Sequence, residues 1–265
     1  MEFEFGDTQE SQAFFDRNPK FMTTFLRLAD LTNKYLGGRA LPGNQVGGVC
    51  FGLAHACRQD FLEAVFLAVN GYGGGASKIT RGLYERSVTL AYIVKYPKKA
   101  ERFVRYAAVQ EHRSLEAALK VVSEAQFDAL IGQPNTAAEI RARYQKVKPE
   151  FEMTLCKKCG TKRVQPSWDA DLATMVCDLG GDYQKFYLPN YSVPNFAIHA
   201  TLSSAMLREG NEESHREADL QVACASFLLL LTLQSLESIF KLGLEKEIGE
   251  CVQGVNNLRP ERNEI

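Results

Sequence analysis

Between Gln45 and Asn70 the small and apolar residues Cys50, Ala54, Cys57, Phe61 and Val65 recur at steps of four, three, four and four. That spacing puts them on one stripe of an α-helix and predicts a buried face. Nowhere along the chain does a sustained two-residue alternation compete with it, so no strand is expected. Glycine and proline then divide the chain into helical segments. The first spans 11–36 and is closed by Gly37 and Gly38, and the second spans 45–70. After it, "GYGGGAS" reads as a glycine hinge. The third runs over 77–96, from an N-cap at Ser77 to the residue before Pro97.

An amphipathic segment over 98–122 follows, then a shorter helix at 123–132 and a polar one at 136–153. Residues 154–167 read as a loop, with a short helix at 169–178 after it. The "GGDYQKFYLPNYSVP" connection leads to a helix from about 194 to 209, and a long last helix spans about 214–246. The fold class expected is all-α: a single helical-bundle domain of about seven to nine helices. Its parts are an N-terminal helix and connection over 1–44, a bundle core over 45–250 in the same domain, and a frayed tail over 251–265.

Composition narrows what such a bundle does. At 265 residues the chain buries a sizeable core, and 45% apolar with 24% charged residues is ordinary for a globular protein. A formal net charge of -1 supplies no global field for nucleic acid or anionic lipid. The acidic start lacks the basic region and apolar run of a signal peptide. The longest apolar run, Phe227 to Leu233, is well short of the roughly 20 residues that span a bilayer. Seven scattered cysteines, an odd number, fit reduced thiols in a cytoplasm. No membrane partner is expected. A homo-oligomer stays open.

Several polar residues stand where an inert core would not put them. On the 77–96 helix, Tyr84, Val88, Ala91 and Tyr92 make a second apolar stripe, and Arg81 and Glu85 lie on it at i and i+4. Charges there require pairing, since an uncompensated buried charge costs several kcal/mol. The pair is read either as a preorganised polar site or as an intrahelical lock. In "NYSVPNFAIHA", Ser192 is the expected N-cap, with Pro194 in the first turn of the helix. His199 then shares a side with Phe196, Leu202 and Met206, with Asn195 one turn away, and is read as either a core histidine or an acid/base group.

"CKKCG" places Cys156 and Cys159 at the spacing of a zinc knuckle, but no second ligand pair completes four. A thioredoxin-type role lacks its βαβ context. No cofactor is expected beyond that candidate zinc. Residues 139–163 carry eight Lys/Arg against three Glu, either a phosphate-contacting patch for RNA or a solvated face. No P-loop, dinucleotide fingerprint, His-Glu-x-x-His or nucleophile elbow occurs.

Two blocks, "RGLYERSVTLAYIVKYPKKAERFVRYAAVQEHR" (81–113) and "SWDADLATMVCDLGGDYQKFYLPNYSVPNFAIHATLSS" (167–204), together resemble a bacterial all-helical family of unknown function. Arg81, Glu85, Tyr106, Trp168, Tyr191, Ser192 and His199 match its pattern, over roughly 45–245. That likeness brings no activity with it. A more distant likeness is to HEPN domains, bundles that include metal-independent ribonucleases and defence effectors. Their motif sets an arginine shortly before the histidine on one helix, and "SVPNFAI" before His199 has none.

Three readings follow. One is a binding module whose polar centre (Arg81, Glu85, Tyr191, Ser192, His199, with Asn195 and Tyr106 alongside) holds a small polar or anionic ligand. Another is a HEPN-like ribonuclease or effector in which His199 is the acid/base and Arg81 and Glu85 assist. The last is a scaffold stabilised by zinc on Cys156 and Cys159.

Overall fold

A computed structural model describes residues 8–37, 43–156, 158–198 and 211–256. It is all-helical apart from one small hairpin, and the chain forms two compact units, 1–95 with 172–265, and 96–171.

The first unit is built on α3 (Gln45–Val69), α4 (Gly73–Lys95) and α11 (Asn211–Phe240), which pack on one another. The stripe read from sequence is the packed one: Cys50, Ala54, Cys57, Phe61 and Val65 are all buried. α4 adds the buried Leu83, Tyr84, Val88, Leu90 and Ile93 to this core, and α11 adds Leu228, Leu229, Leu233 and Leu236. α1 (Thr8–Arg17), α2 (Phe21–Leu36) and α12 (Glu245–Asn256) complete this side. The expected 11–36 helix is broken at Asn18–Lys20, because Pro19 has no N–H to continue the first helix and the Asn18 carbonyl receives Phe21 N–H instead.

α4 begins at Gly73, so Ser77 is no N-cap. It lies inside the helix at 4% exposure. The turn needs only Gly71 and Tyr72. Gly71 sits at φ +82, and a Cβ there would approach the Glu10 side chain to 2.9 Å. The other glycines of "GYGGGAS" are the first turn of α4 rather than a hinge.

α11 contains a 26-residue stretch, His215–Phe240, that is long and apolar enough to cross a membrane by composition. Most of it, 72% of the apolar window, is buried inside the fold, as expected of a core helix. Polar residues within it bond locally. Thr232 Oγ1 donates to the Leu228 carbonyl (2.9 Å) and lies 3.1 Å from Ser87 Oγ of α4.

α8 (Leu172–Leu179) and α9 (Gly181–Tyr187) flank α4 and are separated by Gly180 at φ +69. The "GGDYQKFYLPNYSVP" connection is therefore helical. α9 passes through a π turn (Leu188–Ser192) directly into α10 (Val193–Ile198). Ser192 lies within the π turn and Pro194 inside a helical run, so the expected capped start near 193 is overturned. The cause is the spacing of the prolines. Pro194 has no N–H to give, and the register relaxes so that Val193 N–H reaches the Leu188 carbonyl, five residues back.

The second unit holds α5 (Ala100–Ala118), α6 (Glu124–Ile131) and α7 (Thr136–Phe151), with Leu115, Ala137 and Ile140 buried together against Leu119 and Phe127. Ser123 caps α6 in a full capping box with Gln126. The expected 154–167 loop is instead a hairpin, β1 (Glu152–Thr154) paired antiparallel with β2 (Lys162–Val164). Three residue pairs are too short for an alternation pattern to show in sequence. Arg102 ties the hairpin's far end to α5. Its guanidinium lies 4.5 Å from the Phe151 ring and donates to the Trp168 carbonyl (2.7 Å), the Glu150 carbonyl (3.0 Å) and Gln165 Oε1 (3.1 Å).

Candidate functional site

The polar residues of α4 meet the π turn. Arg81 Nη2 is 2.9 Å from Glu85 Oε1, the i,i+4 pair anticipated from sequence. The pair is not sealed, since the Glu85 side chain is 42% exposed against 23% for Arg81. The other face of the guanidinium lies over the Tyr191 ring, 4.9 Å from its centroid. Tyr191 in turn packs on Tyr187 (5.3 Å) and Tyr84 (6.5 Å), which makes an aromatic wall from both elements. The Tyr84 hydroxyl donates to the Tyr183 carbonyl at 2.6 Å. Burial pushes it well above its ordinary pKa, so it stays a neutral donor.

Among the described residues, three buried side-chain polar atoms of this unit have no hydrogen-bond partner: Arg81 Nε, Asn190 Oδ1 and Gln221 Oε1. Asn190 is completely buried in the π turn, next to Tyr191, and its amide nitrogen is used on the Phe186 carbonyl (3.2 Å). Phe186 packs on Phe227 of α11 at 5.0 Å. Gln221, 3% exposed, stands two turns before Leu228, whose carbonyl faces Ser87 of α4. The three atoms are thus one donor and two acceptors on α4, the π turn and α11. Each unmet group carries a desolvation cost of about 1–3 kcal/mol. Native cores hold few such groups, and each asks for a partner or a role.

Of the residues singled out from sequence, Arg81, Glu85 and Tyr191 come together. Ser192 and Asn195 are partly exposed, in the π turn and in α10. Tyr106 lies in the second unit, where its hydroxyl donates to the Gln165 carbonyl (3.0 Å) and accepts from Arg113 (2.6 Å). Cys156 and Cys159 are at the β1–β2 turn of that unit. His199 lies outside the described residues. Among the described residues no group of three or more His, Cys, Asp or Glu assembles as a metal site. In the basic 139–163 stretch, Arg141, Arg143, Lys148 and Lys162 are held by Glu124, Glu111 and Glu152.

Asn190 and Gln221 were not anticipated. Gln221 had a readable signal, a lone amide in the apolar run "LQVACASFLLLL". Asn190 had none, because a Pro-Asn step reads as a turn.

A further polar feature closes the α11–α12 corner. Glu237, 6% exposed, accepts from Tyr35 Oη of α2 and from Gly243 N–H (2.7 Å). It borders a pocket of about 540 Å³ with Lys241 and Glu245. Both its oxygens are used, so it reads as a strut rather than a waiting ligand.

Residues 48–216 match the profile of a family of unknown function, DUF5677. The match covers more than half of the 265-residue chain and both motif blocks, and the chain belongs to that family. No curated protein and no solved structure matches it.

Proposed function

We propose that this member of DUF5677 is a binding module, and that the contact of α4 with the π turn takes a small polar, anionic ligand. The observation that carries the reading is the set of buried atoms without a partner among the described residues, Arg81 Nε, Asn190 Oδ1 and Gln221 Oε1. They ask for complementary chemistry: a carboxylate or phosphate oxygen for the arginine, and N–H donors for the two amide oxygens. Glu85 holds the guanidinium by one nitrogen and leaves Nε for the ligand. The tyrosines at 187 and 191 supply flat apolar surface for the ligand's uncharged part. A π turn suits this use, because the break in helical register turns a side chain inward that an α-helix would carry past.

The test is thermal denaturation with three probe sets: inorganic phosphate, amino acids, and nucleoside monophosphates. A probe carrying both an anion and N–H donors is expected to raise the midpoint. At a hundredfold excess over Kd the stabilisation is about 2.7 kcal/mol. Arg81→Met abolishes the shift while keeping the wild-type helical circular dichroism. If none of the probes moves the wild type, or if Arg81→Met responds equally, the reading fails.

A further inference from the structure

In the second unit, the β1–β2 turn holds two cysteines under conditions unlike those of the other described cysteines. The turn is closed by Leu155 N–H on the Thr161 carbonyl (2.8 Å) and Gly160 N–H on the Cys156 carbonyl (3.0 Å), with Gly160 at φ +69. Cys159 is exposed and Cys156 half-buried beside it. Cys159 Sγ lies 2.9 Å from the Thr161 hydroxyl. A hydroxyl at that distance can donate to the Cys159 sulfur as it ionises, which favours the thiolate. Elsewhere burial drives Cys50 and Cys57 up to about 12, which leaves them inert. Cys177 is exposed on α8, which carries no second cysteine.

We propose that Cys159 and Cys156 are a reversible dithiol–disulfide pair, with Cys159 the attacking sulfur and Cys156 the resolving one, poised by low-molecular-weight thiols and disulfides. The Cys159 thiolate attacks one sulfur of a small disulfide RSSR. That S–S bond breaks, RS⁻ leaves and takes a proton from water, and a mixed disulfide remains on Cys159. The Cys156 thiol loses its proton to solvent and attacks Cys159 Sγ. The second RS⁻ is expelled and protonated, and the Cys156–Cys159 bond forms. Two electrons have moved from the protein to RSSR, which becomes two RSH. Excess RSH runs the steps backwards.

The hairpin suits this exchange. Both sulfurs sit on one short turn anchored by a two-strand ladder, so closing the ring does not require the packed helices of α5 and α7 to separate. Cys159 is the sulfur exposed to a solute, and Cys156 stands three residues before it on the same turn, at Cys-x-x-Cys spacing.

The experiment equilibrates the full chain in glutathione buffers from fully reduced to fully oxidised, blocks free thiols with a maleimide, and maps the peptides. The expected result is loss of both alkylation sites on the 156–159 peptide in oxidising buffer, restored by reductant. Cys156→Ser instead accumulates glutathione on Cys159, and Cys159→Ser forms no internal disulfide. Cys177 serves as the internal control, gaining at most a single glutathione. Two results overturn the proposal: both thiols of the peptide staying alkylatable in every buffer, or zinc held by them in the protein as purified, released only by a chelator.

Discussion

Replacing Asn190 by leucine should stabilise the ligand-free protein, which is the reverse of what a polar-to-apolar change in a satisfied network does. Asn190 is fully buried, and its Oδ1 has no partner among the described residues. Removing that acceptor recovers about 1–3 kcal/mol of desolvation cost. Leucine forfeits the bond from Nδ2 to the Phe186 carbonyl, a long one at 3.2 Å, which is worth about 1 kcal/mol. It adds apolar burial, most of which is offset by overpacking, because leucine shares the branched outline of asparagine but is bulkier. The balance is about 1–2 kcal/mol in favour of the variant. For a unit of this size that raises the melting midpoint by about 2–8 °C. Urea and thermal denaturation followed by circular dichroism measure it directly. The variant should also lose any ligand response that the wild type shows, because the acceptor has gone. A destabilisation of 1 kcal/mol or more would refute the reasoning, since it would mean that the Asn190 oxygen is satisfied and its burial structural.

Three further outcomes follow from the geometry. Arg102→Lys cannot reproduce the three-way donation and the stack on Phe151, and should lower the stability of the second unit by about 2–3 kcal/mol. Trp168, the only tryptophan, lies in that unit, so its fluorescence under urea reports the loss. Glu237→Ala leaves the Tyr35 hydroxyl and Gly243 N–H without their carboxylate, at a cost of about 3–5 kcal/mol, and Glu237→Gln should cost less; urea midpoints separate the two. Stability should also fall as pH rises from 9 to 10. Burial raises Cys50 and Cys57 to about 12, so above pH 9 the unfolded chain releases these protons while the folded one keeps them. The slope is negative, about 1.4 kcal/mol per pH unit for each group, and Cys57→Ala should make it shallower in melts across that range.

How much of this was legible in the sequence depends on the range over which each signal acts. The α3 stripe and the Arg81–Glu85 pair were readable because helical periodicity is local and both partners lie on one element. The start of α4 was misplaced because Ser77 is a good cap in isolation. The left-handed Gly71, pressed against Glu10, ends the turn earlier. The hairpin was missed because its ladder is only three pairs long. The π turn defeats local reading altogether. Pro194 does mark a helix start in most contexts, and only the i→i+5 bond of Val193 lets the helix run on through it. That same break brings Asn190 inward, so the residue that best distinguishes this site from an ordinary core was the one the pattern hid. Tyr106 was grouped with Arg81 on resemblance alone, and the chain places it in the other unit.

The most direct test of the central claim is a calorimetric titration of the purified chain with the best probe from the thermal screen, run in parallel on wild type, Arg81→Met and Asn190→Leu. Saturable binding to one site is expected in the wild type, lost in both variants although both remain folded. Equal binding by wild type and the two variants would contradict it, and would place the ligand elsewhere than the contact of α4 with the π turn.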